Sequence, residues 1–214
     1  YYISKSNENR NIVNIYDEGR YIQQSYYAGK SIDRRAEGQA KEWSPWTWNP
    51  IQVGDNANNR AEILDSWQRG SETYVKCIPM QWDMNNKPAE ATMEQWTSIK
   101  GNVVHVRNRL TCNRTDDLYG EGVVCSQEIP AVYVISALKN LYSYFGDKPF
   151  SHQPIKSTEV KQLIMNDPEH FWGLYRDASE QWMAFVDDSG WGIAVYSPSA
   201  EAFLAGRFDS FLEG

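Results

Sequence analysis

Several things are scarce in this chain of 214 residues, and each scarcity excludes something. Cysteine occurs three times, at Cys77, Cys112 and Cys125, with no C-x-x-C pair and no Cys/His zinc spacing. Cys112 and Cys125 bracket a polar loop from Asn113 to Val124. Closure of that loop by a disulfide in an oxidising compartment and three free thiols are both open readings. Histidine also occurs three times, which limits histidine-based chemistry to His105, His152 and His170. Basic residues are few (21 Lys and Arg against 28 Asp and Glu, net −7) and nowhere clustered. Nucleic acid and anionic membrane surfaces are thereby excluded as partners, since both need a basic patch. A polyanionic glycan is disfavoured too, unless the arginines converge in space. No apolar run is long enough to span a membrane, and no signal peptide is visible. The G-x-S-x-G elbow, H-E-x-x-H, phosphate-loop and dinucleotide fingerprints are all missing. No cofactor and no metal is called for. Asp55-Asn56-Ala57-Asn58-Asn59 fails the EF-hand pattern because Ala57 stands at a ligand position, which leaves only a looser loop calcium site as an open reading.

Amphipathic aromatics are abundant: nine Trp and 13 Tyr against seven Phe. Each offers a flat apolar face and a polar edge, which suits both a sheet and a sugar ring. Helical periodicity is rare, and alternating segments separated by Gly, Asn, Asp and Pro recur. Glu72 to Trp82 alternates, with Pro79 confining it to an edge or a bulge. Glu90 to Ile99 and Asn102 to Thr111 alternate around the turn Lys100-Gly101-Asn102, as one long antiparallel hairpin. Further strands are expected at Ala131 to Ile135, Gln181 to Val186, Trp191 to Tyr196 and Ala202 to Arg207, with Asp187-Asp188-Ser189-Gly190 a hairpin turn. Lys139 to Tyr144 reads as a strand or a helical turn, and Thr158 to Asn166 as the one helix. The fold class is all-β: a large antiparallel β-sandwich forming a single domain over residues 1–214. It opens and closes on apparent strands, as a fragment lacking terminal strands would.

Four segments carry candidate chemistry. In Tyr16 to Tyr27, a strand puts Tyr21, Gln23, Ser25 and Tyr27 on one face and Arg20, Ile22, Gln24 and Tyr26 on the other. Rows of hydrogen-bonding side chains beside aromatics suit a polyhydroxylated ligand; Asp17 and Arg20 fit a charge-assisted fork or a pair that pins a turn. Trp46 to Asp55 reads as a stacking platform, Trp48, with polar tongs at Asn49, Gln52 and Asp55. Glu128 stands at a strand entrance with Tyr133 downstream, the place of a general acid, base or nucleophile or of a simple salt bridge. Glu94 shares a strand face with Trp96 and is the candidate second carboxylate. His105 shares its face with Arg107 and Arg109; a base beside an arginine that neutralises a uronate is the arrangement a lyase needs, and a mixed polar strand face is the plainer reading.

The segments NIYDEGRYIQQSYYAG, WTWNPIQVGD, IPMQWDM, EQWTSIKGNVVHVRNRLT, QEIPAVY and DDSGWGIAVYSP resemble a group of bacterial extracellular β-sandwich proteins related to the galactose-mutarotase-like superfamily. The resemblance runs from Asn11 to about Gly206. It implies a supersandwich-like fold, a secreted or periplasmic location and a poly- or oligosaccharide partner. The superfamily's paired histidines are absent, so it does not imply mutarotation. The expected function is a glycoside hydrolase or polysaccharide lyase on a neutral or lightly charged glycan. Asp17, Glu94, Glu128 and His105 are its catalytic candidates, and Arg20, Gln23, Gln24, Trp48, Asn49, Gln52, Asp55 and Tyr133 its sugar contacts. A non-catalytic carbohydrate-binding module is the alternative. The sequence leaves the oligomeric state open.

Overall fold

A computed structural model describes residues 11–13, 22–27, 33–41, 51–115, 127–158, 160, 173–176 and 178–207. The protein is all-β, built from several antiparallel sheets in keeping with a β-sandwich. The described residues hold no α-helix, only a short 3-10 turn at Arg35–Glu37. None of their helices is long and apolar enough to cross a membrane. The chain packs as two compact units, one of Tyr1–Tyr21 with Val132–Gly214, the other of Ile22–Ala131.

The second unit is organised around a four-stranded antiparallel sheet. Its strands are β3 (Glu62–Arg69), β4 (Glu72–Ile78), β6 (Ala91–Lys100) and β7 (Val103–Cys112), in the order β3-β4-β6-β7. The predicted hairpin is β6–β7, in unbroken register from Ala91 opposite Cys112 to Lys100 opposite Val103. Gly101 turns it at φ +61, a left-handed conformation that a side chain would strain. Pro79 does not make the run an edge strand: β4 is central, paired with β3 and β6, and because Pro79 carries no amide hydrogen β4 ends at Ile78 and a short β5 (Met80–Gln81) leaves to pair with β2 (Ile51–Gln52). The remaining pair is β1 (Ile22–Ser25) with β8 (Glu128–Val132). The apolar core of the unit gathers Tyr74, Cys77, Met80, Met84, Ala89, Ala91 and Met93 at the base of the sheet. Toward the β6–β7 turn the sheet emerges from that core, and Ile99 and Val103 are exposed.

In the first unit, β9 (Asn140–Ser143), β10 (Lys156–Thr158), β12 (Trp182–Val186) and β13 (Gly192–Tyr196) form a sheet ordered β10-β9-β12-β13. β11 (Gly173–Tyr175) pairs with β14 (Phe203–Ala205). Lys139 to Tyr144 therefore resolves as a strand. The predicted β12–β13 turn forms around Asp187, whose Oδ1 accepts the backbone amides of Ser189 at 2.9 Å and Trp191 at 3.1 Å and the Ser189 hydroxyl at 2.6 Å. Gly190, at φ +82, completes it. Thr158 closes β10, and most of the predicted helix beyond it lies outside the described residues. The strand expected at Ala131 to Ile135 begins earlier, at Glu128, and is followed by an isolated bridge between Val134 and Val13.

Candidate functional site

β1 has the sequence Ile-Gln-Gln-Ser, yet Gln23, Gln24 and Ser25 are all buried, with Ser25 fully so. A polar strand in the interior must find hydrogen-bond partners or lose several kcal/mol. Gln23 and Gln24 find them in residues 105 and 70 positions away, whereas the Ser25 hydroxyl finds none among the described residues. Gln23 Nε2 donates to Glu128 Oε2 at 2.6 Å, and the Tyr27 hydroxyl donates to Glu128 Oε1 at 2.5 Å. Gln127 fixes the same junction, accepting from the Tyr27 amide at 2.7 Å and donating to its carbonyl at 3.1 Å. Alternation explains the convergence: Gln23 and Tyr27 are four residues apart in an extended segment and so share one side. The opposite side carries Gln24, whose Nε2 donates to the Glu94 carbonyl at 2.9 Å and whose Oε1 accepts from the Tyr26 hydroxyl at 3.0 Å. Tyr26 is bonded through its backbone to Ile51, which brings β2 and the buried Gln52 alongside. Burial raises the Tyr26 phenol above its ordinary range.

Gln23 Oε1 and Ser25 Oγ, both buried at this cluster, have no partner among the described residues. Both lie on the Glu128 side of β1. A carboxylate held in orientation by a phenol and an amide, with unengaged polar atoms beside it, is equipped to take a proton from a hydroxyl or water or to attack a carbon centre.

Glu94 is buried on β6 and doubly tied. Its Oε1 accepts from the Tyr74 hydroxyl at 2.8 Å, and its Oε2 from Arg109 at 3.3 Å. The carboxylate pushes the Tyr74 phenol up to about 12, since a hydrogen bond to an anion disfavours a second negative charge. Tyr74 is the centre of an aromatic row across the sheet. Its ring lies 5.3 Å from Trp67, stacked, and 5.0 Å from Trp96, tilted. Guanidinium groups cap the row: Arg69 over Trp67 at 4.7 Å, with Arg107 and Arg109 over Trp96 at 4.3 and 5.2 Å. His105 is exposed on β7, opposite Ser98.

Asp55 has a different character. Its Oδ1 accepts from the amides of Ala57 at 3.0 Å and Asn59 at 2.8 Å, and its Oδ2 from Asn59 Nδ2 at 2.9 Å and the Asn86 amide at 2.7 Å. Burial opposes its ionisation, but these donors outweigh burial and hold the carboxyl below its ordinary range. Asp55 clamps its own turn. A further buried polar group joins Arg34, Gln39, Gln81 and Asp83: Arg34 donates to Gln81 Oε1 and to Glu37, and Gln39 Nε2 to Asp83 Oδ2 at 2.5 Å.

The structure thus brings Gln23 and Glu128 together directly, and Gln24 with Glu94 through the Glu94 backbone. It leaves His105 on the exposed face of the hairpin sheet. Tyr133, half-buried, belongs to the other unit. Asp17, Arg20, Trp48, Asn49 and Cys125 lie outside the described residues. Cys112 is an exposed free thiol. The described residues contain no cluster of three or more His, Cys, Asp or Glu able to hold a metal ion. Sequence reasoning put Tyr27 and Ser25 on the strand face of Gln23 without giving them a role of their own, and it missed Tyr74 as the partner of Glu94. Comparisons with protein-family models, with curated proteins and with solved structures return no match for this chain.

Proposed function

We propose that this is a carbohydrate-active enzyme, a glycoside hydrolase or polysaccharide lyase, with Glu128 as the group that handles the proton or attacks the sugar. Support comes from one observation above all: Gln23 and Tyr27, far from Glu128 in sequence, both grip its carboxylate beside acceptors that have no partner among the described residues. A strand that only filled a core would not be expected to carry Gln-Gln-Ser inward. Unengaged acceptors next to a carboxylate match a ligand rich in hydroxyl donors, as a sugar is. Gln23 and Tyr27 hold Glu128 in place, and Gln24, on the other side of β1, anchors the strand to β6. The resemblance to the galactose-mutarotase-like superfamily points to the same ligand class, and a secreted or periplasmic location accompanies it.

The test is a panel of plant, algal and bacterial polysaccharides offered to the wild-type protein and to Glu128→Gln. Reducing ends are followed together with the near-ultraviolet band of unsaturated uronates. New ends without that band, lost in the variant, establish a hydrolase, and the band establishes a lyase. Binding by both proteins with no turnover by either rejects catalysis and leaves a binding module.

A further inference from the structure

We infer that the β4–β6–β7 face carries a second ligand site, one that takes the carboxylate of an acidic sugar residue through Arg107. The site is an open concavity of about 320 Å³ lined by Glu72, Trp96, Ser98, His105, Val106 and Arg107. Strand register builds it: Glu72, Ser98 and His105 stand opposite one another across three strands, and Trp96 with Arg107 forms the next row.

Arg107 differs from its neighbour in one decisive respect. Arg109 gives its charge to Glu94 at 3.3 Å. Arg107 is stacked on Trp96, exposed, and meets no carboxylate among the described residues. A guanidinium held over a ring 4.3 Å from its centroid still has N–H donors to offer, and arginine can grip a carboxylate with two parallel hydrogen bonds. The Ser98 hydroxyl, the His105 ring nitrogens and the Glu72 carboxylate supply the donors and acceptors a ring of hydroxyls needs. Charge selects the class of anion. One unengaged guanidinium with Glu72 on the rim, in a chain of net charge −7, suits a monoanion and repels phosphate dianions and nucleic acid. A uronic acid residue combines the single carboxylate with the hydroxyls. This local pairing of Arg with aromatic is what composition alone could not show. The inference rests on the carbohydrate reading for everything beyond the carboxylate, and it is a binding role, separate from Glu128.

The experiment is a calorimetric titration of the whole protein with galacturonate and glucuronate oligomers, their neutral methyl esters, and acetate. The acid oligomers are expected to bind roughly tenfold or more tightly than the esters, the scale of one charge-assisted pair. Arg107→Gln should erase that preference, Arg107→Lys should keep part of it, and Glu128→Gln should leave it intact. Equal affinity for acid and ester, or a preference that survives Arg107→Gln, overturns the inference, as does no binding at all. Acetate competing as well as the oligomers retains the anion site and overturns the sugar. Turnover of a neutral glycan that depends on Glu128, with no uronate preference, sinks this inference alone. An Arg107-dependent preference without any turnover sinks the catalytic reading alone. A thermal melt of each variant shows that the fold is intact.

Discussion

The turn around Asp55 and the junction around Glu128 each centre on one carboxylate, and the sources of their hydrogen bonds separate them. Asp55 draws on Ala57 and Asn59, its near neighbours, and on the amide of Asn86, with two donors to each of its oxygens. Glu128 draws on the side chains of Gln23 and Tyr27, with unengaged acceptors on the same strand face. A carboxylate closed by backbone amides holds a loop. Glu128, held by side chains from another strand, joins β1 to β8, and under the proposed function the same carboxylate acts on a sugar. A related contrast lies on the hairpin sheet between Arg109, paired with Glu94, and Arg107, which lies over Trp96 and meets no carboxylate among the described residues.

Substitutions should pull the two carboxylates apart. Glu128→Gln is expected to lower turnover by about 10²–10⁴-fold, the range for a lost acid–base group, while shifting the melting temperature little; steady-state rates and a melt check both. Asp55→Ala is expected to cost about 1–3 kcal/mol of stability, because it removes the acceptor of four part-buried hydrogen bonds; denaturant unfolding measures it. Tyr74→Phe removes one of the two donors to the buried Glu94 carboxylate and should cost about 1–2 kcal/mol by the same method.

A smaller effect sharpens the comparison through pH. The Asp55 carboxyl is lower in the folded protein than in the unfolded chain, so its stabilisation is fully present above its ordinary range. It is lost as pH falls through the depressed folded value. The stability gap between wild type and Asp55→Asn should therefore be widest near neutrality and close below about pH 4. Denaturant midpoints across that range test it. The smallest effect concerns the thiols: Cys112 is exposed, whereas burial pushes Cys77 up to about 11. A mild alkylating reagent should label Cys112 in the native protein and reach Cys77 only on unfolding, as peptide mass mapping would show.

The hairpin β6–β7 was legible because two alternating runs flank an unmistakable turn. The divide at Pro79 was legible only as an edge or a bulge, although β4 is a central strand flanked by β3 and β6. β3 was not. All its residues except Trp67 are exposed, so neither face imposes an apolar rhythm, and it is a strand because β4 pairs with it. Gln23, Gln24 and Glu128 were singled out by residue type and strand phase, but what they touch depends on the pairing of β1 with β8, which no local pattern encodes. Glu94 was read correctly as sharing a face with Trp96, while its engagement by Tyr74 and Arg109 follows from three-strand register. Asp55 looked like a sugar tong because a loop Asp among Asn residues suits a ligand and a turn clamp equally well until the donors are placed.

The most direct test sets the two carboxylates side by side. Turnover of the first polysaccharide found to be cleaved, and thermal unfolding, are measured for Glu128→Gln and Asp55→Asn. The account predicts that Glu128→Gln melts like the wild type and has lost its turnover, while Asp55→Asn melts early and, where still folded, turns over normally. A Glu128→Gln protein that unfolds early and keeps its turnover would contradict it, and would make Glu128 a structural clamp like Asp55.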